Sequence, residues 1–354
     1  MTDPCTFHVG TGTLRPDIEP ETLFLTVEDV KGTYTIPYIQ CSRDLTVSVE
    51  FHDPMLTAAR LELAGGDVRT VTREEPQARF VNLPPGEHEL VLVGMGKGAK
   101  EMWRTRVRRI GIGVVMAALG ASIVEGYWGR AVNRPEPLDL TARDFEPDYV
   151  SRDGRNFPQY SPTTHVHWPQ VNCCQSWMTE LNDLASQKLQ QPAFIANEGL
   201  GGYTAEGYLK TMLGDAGWQR RMRLLQPNVW LIHIGINDER ARRPADAFLR
   251  DVHEIVRILM AEYGAEPARI IVARPCYDYF EGAFDCLSVY CDRLSRMVRE
   301  MGLGEGPDFF DTFSRDRHVW YGDDPVHPNV AGMSLMAKLW CDAIVRALGR
   351  QGRP

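Results

Sequence analysis

The sequence predicts a two-part α/β protein: an all-β sandwich, jelly-roll-like, over residues 1–109, followed by an α/β domain over residues 110–354. Three observations predict it. The chain, at 354 residues, is longer than one average domain. Its first hundred residues alternate apolar and polar with no helical stretch. From Ile110 onward the rhythm changes to strand, loop and amphipathic helix.

In the first part, Leu23 to Val27, Tyr34 to Ile39, Leu45 to Phe51, Ala59 to Leu63, Ala78 to Leu83 and Glu89 to Val93 read as strands. Turn-formers separate them, among them Gly65-Gly66-Asp67 and Leu83-Pro84-Pro85-Gly86. After a turn at Gly96-Lys97-Gly98, Glu101 to Arg109 reads as a strand leading out. In the second part, buried strands are expected at Ile112 to Leu119, Ala193 to Ala196, Val229 to Ile234, Arg269 to Ala273 and Phe309 to Phe313. Helices are expected at Gln175 to Gln190, Thr204 to Leu213, Ala245 to Tyr263, Val289 to Met301 and Val330 to Leu348. Such alternation makes a parallel sheet covered on both faces, with ligands bound at the carboxyl ends of its strands. The stretch from Asn133 to Pro169 fits neither rhythm and reads as an insertion flanking the site mouth.

Composition excludes several functions. Apolar residues make up 44% and charged residues 24%, as in a globular protein with a buried core. A net charge of -8, with no basic run, argues against nucleic acid as a partner. The longest apolar run, Ile110 to Leu119, is too short to span a bilayer. The first residues, MTDPCTFHVG, lack the basic start and apolar core of a secretory signal, so the expected location is cytoplasmic unless a signal has been removed. Eight cysteines without a CxxC pair make no disulfide framework, and free thiols are expected.

Four segments, each at the tip of a strand or the start of a helix, hold the candidate chemistry. Gly120-Ala121-Ser122-Ile123 puts a serine hydroxyl where a strand gives way to a helix, either as a nucleophile or as a helix cap. Asn197-Glu198-Gly199-Leu200-Gly201-Gly202-Tyr203-Thr204 offers glycines that let backbone N–H groups approach a ligand, or simply make a turn. It lacks the lysine of a P-loop. Gly235-Ile236-Asn237-Asp238 places an amide at a strand tip, able to donate to an oxyanion or to form a turn. Asp324-Pro325-Val326-His327 can set a carboxylate beside an imidazole, just before the last helix.

In this order and placement, the four blocks resemble the SGNH/GDSL hydrolase superfamily over roughly Ile110 to Leu348. The resemblance implies a three-layer α/β/α, flavodoxin-like fold and a serine esterase that needs no metal or organic cofactor. It implies Ser122 as nucleophile, His327 as general base and then acid, and Asp324 as the group orienting His327. The oxyanion hole would be the N–H of Ser122, the N–H of Gly202 and the side-chain amide of Asn237. One residue departs from the pattern: Ala121 stands where the family has aspartate.

Superfamily members with an N-terminal β-sandwich resemble carbohydrate esterases that remove acetyl groups. The resemblance therefore implies a small-molecule or oligo/polysaccharide ester as substrate, with O-acetyl groups on carbohydrates favoured. Rival readings are a lipase-like, thioesterase or arylesterase activity, or a weakened or non-catalytic carbohydrate-binding protein marked by Ala121. His165, His167, Cys173 and Cys174 gather possible metal ligands, but vicinal cysteines suit a tetrahedral site poorly. Tyr127, Trp128, Tyr160, Trp168 and Trp177 read as core or as pocket walls, and His253 as a structural helix residue.

Overall fold

The computed structural model describes residues 4–9, 12–14, 23–29, 32–37, 39–104, 108–125, 177–280, 286–322 and 324–349. The chain divides into two compact units, one of Met1–Val27 with Thr35–Val114 and one of Glu28–Tyr34 with Val115–Pro354. Among the described residues no helix is long and apolar enough to cross a membrane.

The N-terminal strands form sheets of their own. Leu45–Phe51 lies between Cys5–Val9 and Gln77–Phe80 in a three-stranded antiparallel sheet. Gly86–Met95 pairs antiparallel with Ala58–Leu63 on one side and with Arg108–Ile112 on the other. Their burial alternates: Leu45, Val47 and Val49 point inward from one strand, Ala59, Leu61 and Leu63 from another. That is the period of a strand with one face in a core and one in water. The expected continuous strand from Ile112 to Leu119 is two strands. Arg108–Ile112 belongs to the sheet of Gly86–Met95 and Val114–Gly120 to the parallel sheet of the second unit, with Gly113 between them.

The second unit is built on a five-stranded sheet in the order Ala193–Gly199, Val114–Gly120, Val229–His233, Ile270–Arg274, Gly304–Asp308. The last four strands run parallel. Helices Trp177–Leu189 and Val330–Gly349 pack together, while Ala205–Gly214, Ala245–Tyr263 and Cys286–Glu300 form another group. Every residue of the first three strands is buried, as a sheet covered by helices on both faces requires. The expected mixed α/β fold is therefore present, with the chain order 2-1-3-4-5 of a doubly wound sheet. Such a sheet reverses its direction of growth between its first and third strands, and ligands bind there.

One expected strand is a helix. Phe309 to Phe313 forms the helix Phe309–Ser314, and the last strand is Gly304–Asp308 immediately before it. Phe309 and Phe313, four residues apart, are both fully buried on one helical face. The Asp308 side chain caps that helix by accepting from the N–H of Asp311. The strand itself is rich in glycine because the neighbouring strand passes close by. A Cβ on Gly306 would lie 2.5 Å from the Val272 carbonyl carbon.

Candidate active site

The strand Val114–Gly120 ends at a glycine that tolerates no side chain: a Cβ there would meet the His233 carbonyl oxygen at 2.2 Å. The short helix Ser122–Glu125 follows at once, closed by N–H donation from Val124 and Glu125 to the Ala121 carbonyl. Ser122 is thereby the first helical residue at the carboxyl end of the first strand. Trp177, fully buried and stacked on Trp340, steadies this turn by donating its indole N–H to the Ile123 carbonyl at 3.1 Å. Trp177 is core rather than pocket wall.

The loop after Ala193–Gly199 is fastened to the same turn. Asn197, fully buried, donates to the Glu125 carbonyl at 3.1 Å and accepts from the Gly199 N–H at 3.0 Å. Gly199 runs so close to the serine helix that a Cβ would reach the Glu125 nitrogen at 2.1 Å. The N–H of Leu200 donates to the Gly120 carbonyl at 2.9 Å. Gly202 then takes φ = +80°, a conformation that L side chains rarely adopt.

Asn237 sits in the short helix Ile236–Arg240 after the strand Val229–His233. One of its two amide hydrogens goes to the Tyr203 carbonyl at 3.0 Å, so the amide is anchored beside the Gly202 turn with a donor to spare. Its neighbour Asp238, fully buried, accepts from the Ala205 N–H at 2.9 Å.

The fourth block arrives from the far end of the chain. Asp324 Oδ1 accepts from the backbone N–H groups of Val326 (2.8 Å) and His327 (3.1 Å). Its Oδ2 accepts from His327 Nδ1 at 2.7 Å. A carboxylate only accepts, so Nδ1 carries the proton and Nε2 offers its lone pair. Ser122 Oγ stands 2.8 Å from that Nε2, with its O–H placed to donate. Burial pushes the Asp324 carboxyl up, but the hydrogen bond and charge of His327 and the two backbone donors outweigh it, and the group sits below its usual value. Asn329 holds the loop against the last helix by accepting from the Gly332 N–H at 2.9 Å and donating to the carbonyls of Val319 and Tyr321.

The structure thus joins Ser122, His327 and Asp324 in one relay across 205 residues of sequence. A pocket lies beside the serine, walled by Ala121, Ile234, Ile236, Pro275 and Val326 and lined also by Asn237. Gly202 does not line that pocket and is tied to it through Tyr203 and Asn237.

Sequence reasoning missed three groups. Asn197 and Asp238 stood inside recognised blocks without a role. His233, also lining the pocket, was read only as part of a strand tip. It is 3% exposed, meets Phe309 edge-on at 5.3 Å, and burial pushes it down to about 3. The only sequence signal for it was a histidine in an otherwise apolar strand. His253 lies exposed on the helix Ala245–Tyr263. The possible ligands His165, His167, Cys173 and Cys174, and the aromatics Tyr127, Trp128, Tyr160 and Trp168, lie outside the described residues. Among the described residues no three His, Cys, Asp or Glu side chains group to hold a metal, and Cys276, Cys291 and Cys341 are free thiols.

Residues 118–335 match the GDSL-like Lipase/Acylhydrolase family. No curated protein matches the chain. Among solved structures, a lipase/acylhydrolase from Enterococcus faecalis is similar at 16% identity, covering 68% of this chain and 98% of that one, with a TM-score of 0.42. A psychrotrophic esterase from Pseudoalteromonas is similar at 14% identity, over 67% of this chain and 100% of that one, with a TM-score of 0.45. A variant of an acetyl-xylooligosaccharide esterase from Geobacillus is similar at 20% identity, over 68% and 96%, with a TM-score of 0.41.

Proposed function

The chain belongs to the GDSL-like lipase/acylhydrolase family and is a carboxylic ester hydrolase, and from that premise we propose that it removes acetyl groups from carbohydrates through a Ser122–His327–Asp324 triad. The observation that carries this reading is the unbroken hydrogen-bond relay from Ser122 Oγ to Asp324 Oδ2.

In this mechanism Ser122 Oγ attacks the ester carbonyl carbon while its proton passes to His327 Nε2. Asp324 stabilises the imidazolium that results. The carbonyl oxygen becomes an oxyanion and is received by the N–H of Ser122, the N–H of Gly202 and the free amide hydrogen of Asn237. Collapse of the tetrahedral intermediate expels the alcohol, which takes the proton from His327. Water, deprotonated by the same imidazole, then releases the acyl group from Ser122.

Two features support acetyl as the acyl group. The pocket beside Ser122 has compact apolar walls in Ile236, Pro275 and Val326, and among the described residues no charged side chain lines it. The carbohydrate part of the reading rests on the N-terminal strands, which we read as the β-sandwich of two-domain carbohydrate esterases, with the domain boundary near residue 110.

Hydrolysis of p-nitrophenyl acetate by the wild type and by Ser122→Ala tests the triad. Wild-type turnover that vanishes in a folded Ser122→Ala variant is the expected result. Hydrolysis that does not depend on Ser122 would overturn it. Octanoyl ester hydrolysed faster than acetyl would replace the acetyl reading with a lipase-like one, and release of acetate from acetylated xylan or glucomannan would support the carbohydrate.

A further inference from the structure

The three oxyanion donors proposed above come from separate loops, and nothing in the triad itself holds two of those loops together. The structure places that task on one residue pair. Asn237 and Asp238, adjacent in the helix Ile236–Arg240, grip the loop after Gly202 from both sides of Thr204. Asn237 reaches the Tyr203 carbonyl at 3.0 Å, and Asp238 Oδ2 takes the Ala205 N–H at 2.9 Å. Ala205 is the first residue of the helix Ala205–Gly214, so Asp238 fixes where that helix starts and where the Gly202 turn ends.

Asp238 is a fully buried carboxylate and needs a partner to stay charged. Burial pushes its carboxyl up, and a hydrogen bond from Arg243 works against that push. Arg243 Nη1 donates to Asp238 Oδ1 at 2.6 Å, and Nη2 donates to Asp251 Oδ2 at 2.6 Å. Glu206 of the first helix turn lies 3.5 Å from the same Nη2. The Arg243 backbone is itself held at both ends: its N–H donates to the Asp238 carbonyl at 2.9 Å, and its carbonyl accepts from the Tyr290 hydroxyl. Its guanidinium therefore bridges the Asn237–Asp238 helix, the Gly202 loop helix and the helix Ala245–Tyr263 in one planar fork.

We propose that Arg243 is a positioning residue for the oxyanion hole, acting through Asp238 to hold the Gly202 N–H and the Asn237 amide in register. It does not line the pocket and touches no reacting atom. Its removal leaves the buried Asp238 without its cation. Asp238 then takes a proton or turns away, and the Ala205 anchor loosens. Donors that must be in place before charge develops lose their alignment, which lowers kcat and leaves ground-state binding alone.

The proposal rests on the Ser122 esterase reading, and the experiment separates the two. Arg243→Met, Arg243→Lys and the charge-neutral pair Asp238→Asn/Arg243→Gln are assayed with p-nitrophenyl acetate beside wild type and Ser122→Ala. The neutral pair keeps the test open should Arg243→Met fail to fold, because it leaves no lone buried charge. Expected is a fall in kcat of about tenfold to a hundredfold with KM within about twofold of wild type, and partial recovery in Arg243→Lys. Amide hydrogen exchange at Ala205 is expected to quicken in Arg243→Met and in the neutral pair, whether or not turnover is measurable. Wild-type kcat in the folded variants, a rise in KM alone, or unchanged Ala205 exchange would each overturn the positioning role. Absence of Ser122-dependent turnover in the wild type sinks the esterase reading instead.

Discussion

His327 hydrogen-bonds to Ser122 and His233 lines the pocket beside it, yet the two rings live in opposite chemistry. His327 lies on the half-exposed loop Asp324–His327, where both ring nitrogens have partners: Asp324 at Nδ1 and Ser122 at Nε2. His233 ends the most central strand, 3% exposed, with its Nε2 buried and without a hydrogen-bond partner. One imidazole has a carboxylate at its Nδ1 and a hydroxyl at its Nε2. The other is kept neutral by burial alone. Residue type is therefore a poor guide to function at this site, and the partners at the two ring nitrogens decide it.

The largest effect should separate the two rings. His327→Gln and Asp324→Asn are expected to lower kcat for p-nitrophenyl acetate by about 10³–10⁴-fold, since each breaks the relay at one ring nitrogen. His233→Leu, which replaces an unpartnered polar ring by an apolar side chain, is expected to cost less than about tenfold. Comparable losses in all three folded variants would mean that His233 takes part in the chemistry, and the contrast would be gone.

The contrast also marks what the sequence reveals. The four blocks were legible because local geometry forces their residue types. Gly120 must be glycine where a Cβ would meet His233 at 2.2 Å, Gly202 must take φ = +80°, and Asp324 must fold back on its own loop to reach His327. Each such demand is met within a few residues, so it leaves a motif. Burial of His233 is set by Phe309, which is 76 positions away in the chain, counting from 233 to 309, and no spacing announces it. The same holds for Arg243, whose partners Asp238, Asp251 and Glu206 lie on three helices. The strand Gly304–Asp308 escaped for a related reason. Its glycines answer to a neighbouring strand and read locally as a turn, while the apolar pair Phe309 and Phe313 drew attention one element too far.

A smaller effect sharpens the contrast through pH. His233 has a folded value of about 3 against an ordinary 6.5, so between those values the unfolded chain binds a proton that the folded chain refuses. Stability must then fall as the pH drops below about 6.5, by at most about 1.4 kcal/mol per pH unit, or about 2 kcal/mol by pH 5. Asp324, held below its usual 3.8, loses its contribution only at more acid pH, as protons begin to compete for it. From about pH 6.5 to 4.5 the difference between wild type and His233→Leu therefore reports the histidine. Urea denaturation across it should show a decline in wild type that is flattened in His233→Leu. Parallel slopes in the two proteins would show that His233 is not held neutral.

The smallest effect concerns Ala121, which precedes Ser122 and lines the pocket with His233. Its carbonyl already accepts the N–H groups of Val124 and Glu125, so it stands at the cap of the serine helix. An aspartate there can add a side-chain acceptor to the same turn, an interaction of about 1 kcal/mol in helix caps. Were all of it to steady the nucleophile in the transition state, kcat would rise by about fivefold. We expect Ala121→Asp to raise turnover within that limit and to raise the melting temperature slightly. The carboxylate would also bring charge to a pocket walled in part by Ile234, Ile236, Pro275 and Val326. A variant that melts no lower than wild type yet turns over acetyl ester more slowly would show that the pocket effect wins. Position 121 would then serve as a small apolar wall for the acyl group, and its alanine would be a feature of specificity rather than a handicap to Ser122.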